Sequence, residues 1–228
     1  MSPVNFDQIR ADSHDKRLTT LAPMREALHL ITRMIFATLP TDSRILCIGA
    51  GTGPELFYLA EAFPDWRFTA VEPSSAMLDV CRKRADELGV INRFTFHEGF
   101  LETLPDSDPY QAATCILVSQ FLLEPVKRIN LFYHIAKRLT PGGILVNADL
   151  ASDISSQKYQ KLLEVWARTM EYSGVPKEDI DILGSDIAVL PQQDIESLIE
   201  QGGFDKPTLF FQSLLIHAWF SRTNACNA

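Results

Sequence analysis

The sequence lacks any apolar run of the roughly 18 residues that a membrane-spanning helix requires. Its first residues, MSPVNFDQIRADSHDKR, hold no apolar stretch of the kind a secretory leader carries. Cysteine is scarce: Cys47, Cys81, Cys115 and Cys226 are the full set. None forms a C-x-x-C pair and none has a histidine at metal-ligand spacing, so no zinc module is indicated. Cys47 and Cys115 lie inside apolar runs and read as small core residues of a protein from a reducing, cytoplasmic compartment. Positive charge is also short. The 21 Lys and Arg residues against 29 Asp and Glu leave a net charge of −8. An acidic chain binds polyanions poorly, which disfavours nucleic acid as a main partner.

What is present fits one globular domain. Hydrophobic residues are 46% and charged residues 22% of the 228, ordinary globular proportions for a chain long enough to bury a core without staples. Met24, Ala27, Leu28, Ile31, Ile35 and Leu39 recur at helical spacing between Pro23 and Leu39. A continuously apolar strand, Arg44–Ile48, follows. Further strands are expected at Arg67–Val71, Phe94–His97, Ala112–Val118 and Ile144–Ala148, with helices at Pro54–Phe63, Ala76–Leu88 and Val126–Leu139 between them. Strands that are apolar throughout are buried on both faces, as in a parallel sheet. The rhythm predicts an α/β fold with a doubly wound sheet. After Leu150 come a long helix, Ser155–Ser173, and a helix from Pro191 to Gly202. Two strands, Thr208–Ser213 and Leu215–Ser221, then pair most simply as an antiparallel hairpin at the sheet edge.

Gly49-Ala50-Gly51-Thr52-Gly53-Pro54 joins the first strand to its helix. Its place is the carboxyl edge of the sheet, where such folds bind ligands. Glycines there permit positive φ and close approach of a ligand, and the helix N–H groups point into the same space. Glu72 closes the second strand, 19 residues after Gly53. A carboxylate at that place accepts both hydroxyl protons of a ribose. The pair implies a cofactor containing adenosine. Dinucleotide binders favour G-x-G-x-x-G, whereas the third glycine here comes one position sooner.

In that spacing the sequence resembles the class I S-adenosylmethionine-dependent methyltransferases. Ile45–Gly53 resembles the family's first motif, Glu72 within Val71-Glu72-Pro73-Ser74-Ser75-Ala76-Met77-Leu78 its acidic second motif, and Leu139-Thr140-Pro141-Gly142-Gly143-Ile144-Leu145 its strand-five motif. Gly202-Gly203-Phe204 before two strands resembles its ending. The resemblance implies a Rossmann-like, mostly parallel seven-stranded sheet with the antiparallel edge hairpin and a helical cap. It further implies S-adenosyl-L-methionine as cofactor and a small-molecule acceptor. The implied cofactor contacts are Gly49, Ala50, Gly51, Gly53, Glu72, Pro73, Met77, Gly99, Phe100, Leu101, Ser119 and Gln120. The family often has an acid after strand three to receive the adenine amino group, and this chain has Phe100. A backbone contact from Leu101, with Phe100 packed on the adenine, would replace it. Ser119 and Gln120 fall where the family lies under the sulfonium. The Gln120-Phe121-Leu122 run is similar to the carboxy-S-adenosylmethionine synthase branch.

The whole chain, 1–228, is expected to form one domain, with residues 1–40 as a helical cap segment and 151–190 as a helical insertion over the cleft. No catalytic residue declares itself and no metal is expected. His14, Asp15 and Arg17 lie in a segment that resembles the family's lid. His97, His134 and His217 read as satisfied histidines of periodic segments. Tyr133 and Lys137 match the Tyr-x-x-x-Lys pair of short-chain dehydrogenases. That match keeps an NAD(P)-dependent oxidoreductase as one alternative, and the thin catalytic inventory keeps a non-catalytic cofactor sensor or partner-binding module as another. Tyr159, Leu162, Leu163, Trp166 and Met170 form the apolar face of the long helix. Trp166 there is either core or a lid contact for an apolar acceptor. The sequence names neither the acceptor nor the oligomeric state.

Overall fold

Each continuously apolar run is a strand covered on both faces. In the computed structural model, which describes residues 21–175 and 180–224, the strands are β1 (Arg44–Ile48), β2 (Arg67–Glu72), β3 (Phe94–Glu98), β4 (Tyr110–Ile116), β5 (Leu139–Leu150), β6 (Thr208–Ser213) and β7 (Ile216–Arg222). They form one sheet in the order β3-β2-β1-β4-β5-β7-β6. The first five strands are parallel, while β7 enters antiparallel between β5 and β6. The chain reverses from β1–β2–β3 to β4–β5 at β1, so the carboxyl end of β1 lies at the switch point where such sheets bind ligands.

The helices are α1 (Ala22–Phe36), α2 (Pro54–Ala62), α3 (Ser75–Glu87), α4 (Pro125–Arg138), α5 (Gln157–Tyr172) and α6 (Gln192–Gln201). Alternate residues of β1 divide between two cores. Leu46 and Ile48 join Phe132 and Ile135 of α4 and Ile195 and Ile199 of α6. Ile45 and Cys47 join Phe36 of α1, Leu56 and Leu59 of α2, and Trp66. Period-two alternation between two apolar layers is why the strand looks uniformly apolar. Pro54 opens α2 as its first residue, and Ser74 caps α3 by accepting from the Met77 N–H at 3.3 Å.

Two expectations change. Strand five is longer than Ile144–Ala148, because Leu139 already pairs with Tyr110 before the ladder resumes at Ala112 and Ile144. Pro141, Gly142 and Gly143 are turn residues by type, yet they form the irregularity in a strand that is paired on either side of them. Trp166 is no cleft residue. It is 8% exposed, within a satellite core of Leu150, Tyr159, Met170, Val189 and Leu215. That core anchors α5 to the ends of β5 and β7. Leu28 of α1 packs on Ala148 and Ala218, on the sheet itself. His14, Asp15, Arg17 and Cys226 lie outside the described residues.

Candidate functional site

Four segments meet at the carboxyl edge of β1, β2, β3 and β4. The glycine loop is tied to β2 by the N–H groups of Gly49 and Ala50, which donate to the Val71 carbonyl at 2.8 and 3.1 Å. Gly49, Gly51 and Gly53 take φ values of +65, +53 and +80°, a region that L-residues enter at a cost. Each glycine has its own reason beyond φ. A Cβ on Gly49 would collide with Val118, and one on Gly53 would lie 2.6 Å from Cys81 Sγ. A Cβ on Gly51 would meet nothing within 4 Å. Packing within the loop thus places no demand on Gly51, and its positive φ remains the reason for glycine there.

Glu72 is the electrostatic centre of the site. It is 7% exposed. Its Oε2 accepts from the Gly51 N–H and its Oε1 from the Ser74 N–H, both at 2.9 Å. Burial pushes its carboxyl above the usual range, and the two N–H donors pull against that rise. A carboxylate offers about four lone-pair positions. Two are used to fix its orientation, and one on each oxygen remains for an incoming hydroxyl. Gly99 follows directly, its N–H donating to the Glu72 carbonyl at 3.1 Å. Pro73 is exposed and Met77 buried beside this turn. Phe100 is 44% exposed and Leu101 is 2% exposed. Phe100 is therefore a surface aromatic, not a core residue.

The fourth segment follows β4. Leu117 adopts φ +57°, a backbone conformation rare for leucine that costs of order 1 kcal/mol. It turns Val118 onto Gly49. The next turn, Ser119–Phe121, is pinned from beneath: Ser119 Oγ donates to Asp149, and Arg128 Nη1 donates to the same Asp149 Oδ2 at 3.0 Å. Arg128 Nε also donates to the Leu122 carbonyl at 2.8 Å. Asp149 and Arg128 are 0% and 1% exposed. Burial drives the Asp149 carboxyl up, against the pull of Arg128 and Ser119. Breaking such a pair strands a buried charge, at about 3–5 kcal/mol. Ser119 thus spends its hydroxyl on the scaffold, while Gln120 Oε1 is buried with no hydrogen-bond partner among the described residues.

Sequence reasoning missed this pair and also Glu55. Asn147 and Asp149 interrupt the apolar run of β5, a signal that was there to use; Arg128 on an amphipathic helix gave none. Glu55 of α2 is 7% exposed and accepts from Cys47 Sγ at 2.9 Å. Burial raises its carboxyl, and it raises the Cys81 thiol to about 12. The described cysteines are free, buried and kept as thiols. Tyr133 and Lys137 sit on the outer face of α4, with Lys137 Nζ 5.0 Å from the Tyr133 ring centre. This is a surface cation–π contact. Arg82 and Lys83 pair with Asp79 and Glu87 on the surface of α3.

A glycine loop at the switch point, an oriented carboxylate one strand away and an antiparallel seventh strand mark a class I methyltransferase fold. Comparison with known proteins agrees. The methyltransferase-domain family matches residues 45–143. The carboxy-S-adenosyl-L-methionine synthase of Campylobacter jejuni is 25% identical over 216 residues, covering 91% of this chain and 88% of that protein. Human N-acetylserotonin methyltransferase, solved with S-adenosylmethionine, superposes at a TM-score of 0.67 with 11% identity, over 98% of this chain and 60% of that one. This chain therefore spans about three fifths of the human protein. An S-adenosylmethionine-dependent methyltransferase from Methanosarcina mazei gives 0.63 with 15% identity, over 84% of this chain and 97% of that one. Residues 45–143 thus carry a methyltransferase domain, on a fold that S-adenosylmethionine-dependent methyltransferases share. Among the described residues no helix is long and apolar enough to cross a membrane.

Proposed function

We propose that the protein methylates a small-molecule acceptor, with Glu72 holding the ribose and the Gly49–Gly53 loop admitting the methionine end of the cofactor. The observation that carries the reading is the Glu72 carboxylate, fixed by Gly51 and Ser74 and left with one acceptor position on each oxygen. Gly99, Phe100 and Leu101 border the ribose site through the Gly99–Glu72 bond. They provide an aromatic face and backbone groups for the adenine. When bound, S-adenosylmethionine supplies an electrophilic methyl group on a sulfonium. The chain's part is alignment. Val118 against Gly49 sets one wall, and the turn at Ser119 and Gln120 is held still by Asp149 and Arg128. Orientation of this kind is a large share of catalysis for direct group transfer. Incubation with S-adenosylmethionine and a metabolite extract tests the reading: S-adenosylhomocysteine should accumulate only when both are present. Binding without turnover across extracts would favour the non-catalytic sensor.

A second reading is supported by the end-to-end match to the Campylobacter jejuni protein. In it the product is a carboxylated form of the cofactor. Mass spectrometry of the nucleoside products separates the two: demethylated cofactor for methyl transfer, a heavier sulfonium for the synthase.

A further inference from the structure

A second cleft, of about 490 Å³, opens where β5 ends and β7 begins, and none of the glycine-loop residues lines it. The starts of two helices converge on it, Ser156 as the cap of α5 with Lys158 in its first turn, and Gln192 and Gln193 of α6, together with His217. Helix N-termini carry partial positive charge. Pro191 at the start of α6 provides no side-chain cap, and no protein acceptor is recorded for the Gln192 and Gln193 N–H groups. Lys158 has no ion-pair partner among the described residues.

The two acids at the cleft, Asp153 and Glu196, each have one oxygen held by neutral donors. Asp153 Oδ1 accepts from the Ser155 N–H and hydroxyl at 2.9 and 2.6 Å. Glu196 Oε1 accepts from Trp219 Nε1 at 3.0 Å and Gln192 Nε2 at 2.7 Å. His217 is different. It is 6% exposed, its ring stacks on Trp219, and its Nδ1 lies 3.2 Å from the Leu215 carbonyl. That bond makes Nδ1 the donor. The Nε2 lone pair is left without a partner in a cleft-lining residue. Burial lowers the His217 pKa, the Leu215 bond pulls against that fall, and Lys158 adds to it. An unpaired imidazole nitrogen on a nine-tenths buried residue, a free ammonium and an uncapped helix end thus share one cavity.

We propose that this cleft binds a small carboxylate that also bears a hydroxyl or amine. The carboxylate sits on Lys158 and the α6 N–H groups, and the hydroxyl or amine donates to His217 Nε2. Its place suits a methyl acceptor. Asp149, which holds Ser119, is the cross-strand partner of His217, so this one pair links the cleft to the turn beside Gly49. Only this last assignment, of the ligand as acceptor, rests on the methyl-transfer reading.

The test is titration with malate, which carries both groups, followed by the imidazole resonances of His217. Glycerol, a neutral polyol, is the control. Lys158 is exposed, so Lys158→Ala should keep the fold, and a thermal melt checks it. The expected result is a saturable shift with malate, none with glycerol, and at least a tenfold weaker malate affinity in Lys158→Ala. S-adenosylmethionine affinity should be equal in both proteins. Equal shifts with glycerol, malate binding unchanged by Lys158→Ala, or no saturable shift would each overturn the site. Malate binding in a protein that fails to bind S-adenosylmethionine would leave the site standing and remove its role as the acceptor's seat.

Discussion

Replacing Glu72 by alanine separates what the carboxylate does for the fold from what it does for the cofactor. In the fold it accepts two N–H bonds, from Gly51 and Ser74. Hydrogen bonds to a charged group contribute about 1.5–3 kcal/mol each. The raised pKa shows that burial of the charge offsets part of that sum. A net loss of about 1–3 kcal/mol is expected, well inside the roughly 5–15 kcal/mol of a typical domain. Glu72→Ala should therefore stay folded, with a lower midpoint in denaturant. In binding, loss of the charged acceptor for ribose hydroxyls costs about 1.5–3 kcal/mol, or roughly 10- to 150-fold in affinity. Glu72→Gln keeps the shape and one acceptor oxygen but turns an NH2 toward a loop N–H, so it should fall between. Calorimetry with S-adenosylmethionine reads all three proteins. The sign with pH is fixed too: as pH falls through the raised Glu72 pKa, the protonated carboxyl loses acceptor capacity and affinity drops. Wild-type affinity in a folded Glu72→Ala would refute the ribose assignment.

Gly51→Val, at φ +53° with open space beside it, should abolish cofactor binding while circular dichroism shows an intact sheet; normal binding would make the loop merely structural. Trp166→Ala should lose a core-sized 3–5 kcal/mol or so in denaturant melts, with cofactor affinity retained. A much smaller loss would restore the lid reading. His29 is 5% exposed and its pKa is lowered from 6.5 to about 4 by burial and by Arg25. Its folded pKa is depressed, so stability present above pH 6.5 is lost as pH falls toward 4, up to roughly 3 kcal/mol. His29→Gln should flatten that acid limb in a series of melts, and an unchanged limb would exclude His29 as its source.

Much of the scaffold was legible because its signals are local. The strands β1 and β4 announce themselves by apolar runs, and Pro54 and a serine at 74 or 75 mark helix starts by rules that need only neighbours in sequence. The glycine spacing with Glu72 located the cofactor edge for the same reason. The rest depends on contacts distant in sequence. Arg128 meets Asp149 only because α4 folds back over β5, and His217 faces Lys158 only because β7 inserts beside β5. Trp166 shows the same limit: helical spacing puts it on an apolar face without saying whether protein or ligand covers that face. Pro141 and Gly142 misled in the opposite direction, since turn residues can interrupt a ladder without ending the strand.

The central claim is that the loop at the end of β1 binds an adenosyl-sulfonium cofactor. Titration of the wild-type protein with S-adenosylmethionine, S-adenosylhomocysteine and NADH tests it in one experiment. The account predicts saturable one-site binding of the first two, mutually exclusive, and none of NADH. Binding of NADH with no response to S-adenosylmethionine would contradict it.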